Sequence, residues 1–420
     1  MNRRELLKML PIALLTGCGL SRIDPWHVLI RSDKIRTLED EAAIVARGRA
    51  GWTDDGRIRV VYLEGNAYER GYQHGVLLRR EVEDNLGYLY DRAVDKFYFE
   101  EIFDEVYERL RPYIPQDYID EMHGLAHGAR MPLRTIHNIH ALPEMGEWGG
   151  KKRVHKIIKR MMAGEDFGTS CSNIGASPAM TADGEMYTVR VLDWGLHKIS
   201  KLHQYPLIAV HKPDNGIPYA NIGWVGFLGA ISGMNAQKIT LGEMGYGDPP
   251  NERLEGIPMP FLLREVLLNA NSLADVRRII GESRGTNSFA YLMTDGKNGD
   301  SELYVKDMDR FLVFKPGERM ADRDKEFPGV PGAVYGGHKG EEIADVLEGY
   351  RGRITPEYLM TDVIPKIALK SNFQNVIYKP RQLQFWVNNA RSKSERAAEQ
   401  PYTFFDLGKA IASFRGPNRG

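Results

Sequence analysis

Apolar residues recur at mixed spacings of three and four from position 67 onward, in AYERGYQHGVLLRREVEDNLGYLYDRAVDKFYFEEIFDEVYERLR, which predicts helix up to a stop at Pro112. QDYIDEMHGLAHGAR predicts a second helical segment ending before Pro132, and LRTIHNIHALPEM a third from about Leu133. A single strand, RVVYLE at 59–64, precedes them and turns at Gly65-Asn66. The N-terminal third is therefore mainly helical.

Beyond Cys171 the pattern shortens to β-branched and aromatic runs cut by Gly, Pro and Asn. MYTVRVLDW follows a hairpin-like turn at Ala182-Asp183-Gly184, and further strands are expected at 205–211, 219–224, 230–232 and 238–242. Two helices follow, PFLLREVLLNA and SLADVRRIIG, the second with Ser272 as its N-cap. Strands SFAYLMTD, ELYVKD and FLVFK, a helical stretch over 341–369 interrupted near Gly352, and strands NVIYKP, LQFWVNN and YTFFDL complete the chain. This order predicts an α+β protein with two sheets sandwiched between helical layers.

Composition narrows the function. Lys and Arg balance Asp and Glu at 56 each, so no overall field draws the chain to nucleic acid, and no nucleic-acid partner is expected. The basic run between positions 146 and 169 (Lys151, Lys152, Arg153, Lys156, Lys159 and Arg160) reads as a solvated linker rather than a membrane contact.

The start does change the picture. Arg3 and Arg4, a short apolar run over 9–15 and small residues before Cys18 have the order of an export signal, and the run is too short to span a bilayer. RRELLK resembles a twin-arginine signal and LTGC a lipobox, so residues 1–17 are expected to be removed, Cys18 lipidated, and 18–58 to form a lipid-anchored tether in a bacterial cell envelope. With Cys18 so used, Cys171 has no partner for an internal disulfide, and a lone thiol outside the cytoplasm calls for a use.

Cys171 is the candidate nucleophile, with Arg190, Asp193 and Asn287 as candidate companions. A thiol needs help, because its reference pKa is about 8.5 and the thiolate is the attacking form. His197, His203, His211 and His338 are each available as a base, and spacing selects none of them. His123 and His127 stand four apart, but the motif lacks its glutamate and two glycines weaken the helix, so no metal is expected.

NAYERGYQHG, EMHGLAHGARMPLRTIHNIHALPEM, SCSNIGASPAMTADGEMYTVRVLDWG, GFLGAISGMNAQKITLGEMG, PMPFLLREVLLNANSLADV, GTNSFAYLMTDG, NVIYKPRQLQFWVNNA and YTFFDL occur in that order. In these the chain resembles the penicillin acyltransferase-like cysteine hydrolases (peptidase family C45), N-terminal nucleophile (Ntn) enzymes related to choloylglycine hydrolases and acid ceramidase. The resemblance implies an αββα sandwich and a precursor that cuts itself at Ser170–Cys171. Residues 59–170 would become a helical alpha segment, retained as a partner of the beta segment 171–420.

By the same resemblance Cys171 is the nucleophile and its freed α-amine the base. Asp193, in the R-x-x-D-W pattern, would hold the amine and thiol, and Arg190 would support that carboxylate or the substrate carbonyl. Asn287 would donate to the oxyanion, and Asn235 and Trp194 would shape the pocket. A small N-acylated substrate, a linear amide bond, an acyl-thioester and no cofactor are implied. The alternatives are an acyltransferase, a lipid N-acyl or ester hydrolase on the same site, or an inactive envelope binding lipoprotein.

Two features depart from the family pattern. Ser170 stands where penicillin acyltransferase has glycine. Strand alternation also puts Arg190 and Asp193 on opposite faces, so the strand must end or bulge before Asp193 if both serve one site.

Overall fold

A computed structural model describes residues 38–420 except 98–99, 148–169, 196–199, 247–253, 309, 323–324 and 415–420. The export signal, Cys18, the basic linker and His197 lie outside the described residues.

The N-terminal part comprises α1 (Leu38–Arg47), β1 (Arg49–Trp52), β2 (Arg59–Gly65), α2 (Ala67–Leu77), α3 (Arg79–Phe97), α4 (Glu100–Leu110), α5 (Gln116–Ala129) and α6 (Leu133–Glu147). The expected turn at Gly65-Asn66 is a capping box: Asn66 accepts from Glu69 N, and the Glu69 side chain returns to Asn66 N. The span expected as tether contains α1 and β1. Ile44 packs on Tyr68 and Tyr72, and β1 pairs with β2, which ties this lead-in to the fold.

The helical glycines act against the expectation that they weaken the helix carrying His123 and His127. Gly71 and Gly75 of α2 meet Gly124 and Gly128 of α5 backbone to backbone. A Cβ on Gly71 would lie 2.0 Å from Glu121 O, and one on Gly124 would lie 2.1 Å from Tyr68 O. The small residues thus form the interhelical contact, which any side chain would force apart.

The remaining strands are β3 (Ser170–Ala176), β4 (Tyr187–Asp193), β5 (Pro206–Pro213), β6 (Tyr219–Trp224), β7 (Ser232–Asn235) and β8 (Ile239–Gly245). After α7 (Met259–Asn269) and α8 (Leu273–Glu282) come β9 (Phe289–Asp295), β10 (Asp300–Lys306), β11 (Phe311–Phe314), β12 (Met320–Asp322), β13 (Lys325–Phe327) and β14 (Ala333–Gly336). The chain closes with α9 (Gly340–Gly349), α10 (Pro356–Tyr358), α11 (Ile364–Ile367), β15 (Asn372–Lys379), β16 (Gln384–Asn389), β17 (Thr403–Asp406) and α12 (Leu407–Ala412). Ser272 caps α8, accepting from Asp275 N as expected.

Nine strands form one sheet in the order β1-β2-β5-β6-β7-β8-β9-β10-β11, and six form the other, β14-β3-β4-β15-β16-β17. All pairs within them are antiparallel except β2 with β5. The two sheets lie face to face: a Cβ on Gly175 of β3 would meet Ser301 of β10, and Thr188 of β4 donates to Thr294 of β9 at 3.0 Å. Helices α7 and α8 cover the outer face of the large sheet through Leu263, Leu267, Val276 and Ile280. Ile343 and Leu347 of α9 and Ile364 and Ile367 of α11 share a core with Ile174, Val189 and Val191 of the small sheet. The result is the α+β, helix-sheet-sheet-helix sandwich. Strand β14 and helix α12 carry no signal that the sequence reading used, yet β14 pairs with the nucleophile strand, Gly336 opposite Asn173.

Candidate functional site

Cys171 is the second residue of β3, between the sheets at one end of the sandwich, and is 8% exposed. It lines a cavity of about 60 Å³ with Leu192, Asp193, Trp194, Glu243 and Ile231, closed by Pro143 of α6, Met259 of α7 and Phe289 of β9. A smaller cavity touches the same cysteine on the side of Met244, Tyr246 and Phe327. None of the described histidines lines either cavity. Among the described residues no group of three or more His, Cys, Asp or Glu side chains is placed to hold a metal.

Register brings the polar residues together. Asn173 stands opposite Arg190 and Cys171 opposite Leu192, so Arg190 shares the inward face with the thiol. Arg190 is fully buried and donates to Val191 O at 2.7 Å, to Glu243 Oε2 at 3.1 Å and to the thiol. Its path is cleared by Gly242: a Cβ there would lie 3.0 Å from Arg190 Cδ and 2.5 Å from Asn173 Oδ1. Strand β7 pairs with β8 only as far as Ser232 opposite Gly242, so the sheet has no neighbour on that side at Glu243. The ion pair that Arg190 forms is with Glu243, not with Asp193, the carboxylate it was expected to support.

Asp193 solves the alternation problem by standing last in β4, where β15 is bulged between Asn372 and Gln374. One carboxylate oxygen, Oδ1, accepts from Leu369 N at 3.1 Å and Asn372 Nδ2 at 3.0 Å. The other, Oδ2, is buried and has no hydrogen-bond partner among the described residues, although Asp193 lines the cavity of Cys171. Asn372 is itself fixed by Asn375, which Asn388 holds in turn.

Burial dominates the electrostatics. It pushes the thiol up to about 12, against the pull of Arg190, and raises Asp193 to about 6 against its hydrogen bonds from Asn372 and Leu369. Glu243 is likewise raised by burial, opposed by Arg190 alone. A thiol in this state is a weak nucleophile until something nearby takes its proton.

The other expected residues divide. Trp194 lines the cavity. Asn287 is buried, donates to Glu144 Oε2 at 3.0 Å, and lies two residues before the cavity residue Phe289. Asn235 lines neither cavity. It donates to Leu267 O and Ala270 O and accepts from Gln237 N and Ile239 N, tying the β7–β8 turn to the end of α7.

Glu243, Asn372 and Glu144 were missed. The first had a readable signal, an acid in the otherwise uncharged strand ITLGEMG, while Asn372 and Glu144 acquire partners only through contacts distant in sequence.

No family model matches the chain. It is 26% identical over 274 residues to Protein dcd1A of Dictyostelium discoideum, covering 58% of this chain and 57% of that protein. To Protein dcd1B of the same organism it is 24% identical over 302 residues, covering 66% and 54%. The matches thus span little more than half the length of these curated relatives. Among solved structures, it is similar to a Caenorhabditis elegans N-acylethanolamine-hydrolyzing acid amidase ortholog, at 12% identity and TM-score 0.38 over 56% of this chain and all of that one. It is also similar to a conjugated bile acid hydrolase variant of Clostridium perfringens, at 12% identity and TM-score 0.36 over 56% and 93%. A penicillin V acylase of Agrobacterium tumefaciens gives 12% and 0.33 over 57% and 87%.

Proposed function

We propose that this chain is a self-maturing cysteine amidohydrolase of the N-terminal nucleophile, C45-like kind. The observation that carries the reading is the free Oδ2 of Asp193, buried beside Cys171 while its twin oxygen is fully engaged. A buried carboxylate oxygen left without a donor is costly, about 1–3 kcal/mol or more. An ammonium or amine at Cys171 N would satisfy it.

In maturation the Cys171 thiol attacks the Ser170 carbonyl, and the acyl group moves from nitrogen to sulfur, freeing the α-amine. Water then hydrolyses the thioester, leaving a Ser170 carboxylate and a Cys171 thiol. The amine, whose ordinary pKa is about 7.7–8.0, then accepts the thiol proton as the sulfur attacks an amide carbonyl. It passes the proton to the leaving amine, and water hydrolyses the acyl-thioester to the carboxylic acid. Arg190 holds the thiolate as it forms.

Apolar walls at Leu192, Ile231, Met259 and Phe289 support an N-acyl substrate with an apolar acyl group. Hydrolysis is preferred to transfer because water is the default acceptor.

Intact mass tests the maturation. Wild type is expected as two chains, one beginning at Cys171, and Cys171→Ala as one chain; an uncut wild type with an unreactive thiol sinks the reading. We also propose, from the order of residues 1–18, an envelope lipoprotein acylated at Cys18; a mature mass without added acyl groups at that residue would refute it.

A further inference from the structure

Glu144 stands on α6, before the Ser170–Cys171 bond, and the three groups that donate to its carboxylate stand after it. It is fully buried. Its Oε1 accepts from Met259 N at 2.6 Å, and its Oε2 accepts from Thr286 Oγ1 at 2.5 Å and Asn287 Nδ2 at 3.0 Å. Asn287 Nδ2 also approaches the Glu144 carbonyl at 3.4 Å, a long contact that a stronger acceptor would displace. Pro143, beside Glu144, and Met259, its donor, both line the cavity of Cys171. Glu243 of β8 and Tyr291 of β9 are the titratable groups facing it from the large sheet.

We propose that Glu144 is a positioning residue: it fixes the Asn287 amide, two residues before the cavity residue Phe289, and makes the upstream segment part of the active site after the chain is cut. This rests on the amidohydrolase reading. An amide nitrogen carries two donors, so one N–H stays on Oε2 while the other turns from the long carbonyl contact to an oxyanion. Burial holds Glu144 near 7, so the anchoring carboxylate forms as pH rises through that value.

The test uses the matured two-chain protein. Glu144→Gln puts an amide in place of one carboxylate acceptor and is expected to lower kcat about a hundredfold, the scale of one lost oxyanion donor, with KM nearly unchanged. It is also expected to remove a limb of the kcat pH profile near 7. Asn287→Ala should give a similar loss, and the double variant should be no worse than either, because both remove one interaction. Should Glu144→Gln fail to fold or mature, Thr286→Val, which removes a single donor, is expected to lower kcat about tenfold in the same direction. A cut, folded Glu144→Gln with wild-type kcat, or a loss additive with Asn287→Ala, overturns the proposal while leaving the amidohydrolase reading intact. A wild type with no Cys171-headed chain defeats both.

Discussion

Two fully buried arginines each meet a glutamate, and the pairs behave in opposite ways. Arg264 of α7 donates to Glu121 at 2.9 Å, to Leu228 O at 2.9 Å and to the Tyr219 hydroxyl, while Arg70 reaches the same Glu121 at 3.4 Å. Burial raises Glu121, yet the two arginines outweigh it and hold its pKa below the ordinary value. Arg190 stands alone against Glu243 and divides its donors among that carboxylate, Val191 O and the thiol, so Glu243 is raised. The number of cations per buried carboxylate decides whether it is a fixed ion or a poised one.

The surroundings follow the same division. Near Glu121, His74 Nε2 accepts from Gly226 N at 3.1 Å and His140 Nε2 from Leu228 N at 2.9 Å, so both rings are neutral, and burial takes each to about 4. That region keeps one protonation state across the working range. Near Cys171, Asp193 at about 6 and Glu144 at about 7 titrate within it.

Five changes break or sharpen this contrast. Cys171→Ala carries the largest effect: amide hydrolysis and release of the upstream chain are expected to fall to background with the melting transition retained, as read by mass and calorimetry. Glu121→Ala acts on the other region and leaves two buried guanidiniums without their carboxylate, costing about 3–5 kcal/mol in denaturant unfolding. The matching Glu243→Gln keeps an acceptor for Arg190 and should cost only about 1 kcal/mol. If the two cost the same, the contrast fails.

Asp193→Asn is expected to lower kcat/KM about a hundredfold, by analogy with the loss of other acid-base support. Its pH signature has a definite sign. Because the folded pKa of about 6 lies above the ordinary 3.8, this group's stabilising contribution is full below about 3.8 and is lost as pH rises toward 6. Activity runs the other way, falling as the carboxylate is protonated below about 6. Glu121, with its lowered pKa, contributes stability that is lost on acidification instead. Activity lost near pH 6 together with global unfolding would contradict this separation. The smallest effect is expected from Asn372→Ala, which removes one donor to Asp193 and should move the acid limb of activity upward by about one pH unit, equivalent to about 1.4 kcal/mol.

Much of the architecture was legible because it is local. The Asn66 capping box, the Ser272 cap and the alternation of TVRVLD along β4 are set within a few residues. The alternation even posed the right question about Arg190 and Asp193. Its answer, a strand that ends at Asp193 against a bulge in β15, depends on a partner nearly 180 residues away and could not be read locally. The glycines of α2 and α5 misled for the same reason: propensity counts the cost of glycine in one helix, while the benefit appears only when a second helix lies against it.

By itself the sequence determined the layered α+β composition, the uniqueness of Cys171 within the body and the strand that carries Arg190 and Asp193. Only the tertiary structure decided that Arg190 answers to Glu243 rather than Asp193, that Asn235 braces a turn and that Glu144 reaches Asn287 across the bond before Cys171. Periodicity fixes which face a side chain takes. Which charge waits on the other side of that face is settled by packing, because a buried charge takes its state from whatever partners the fold brings within a few ångströms.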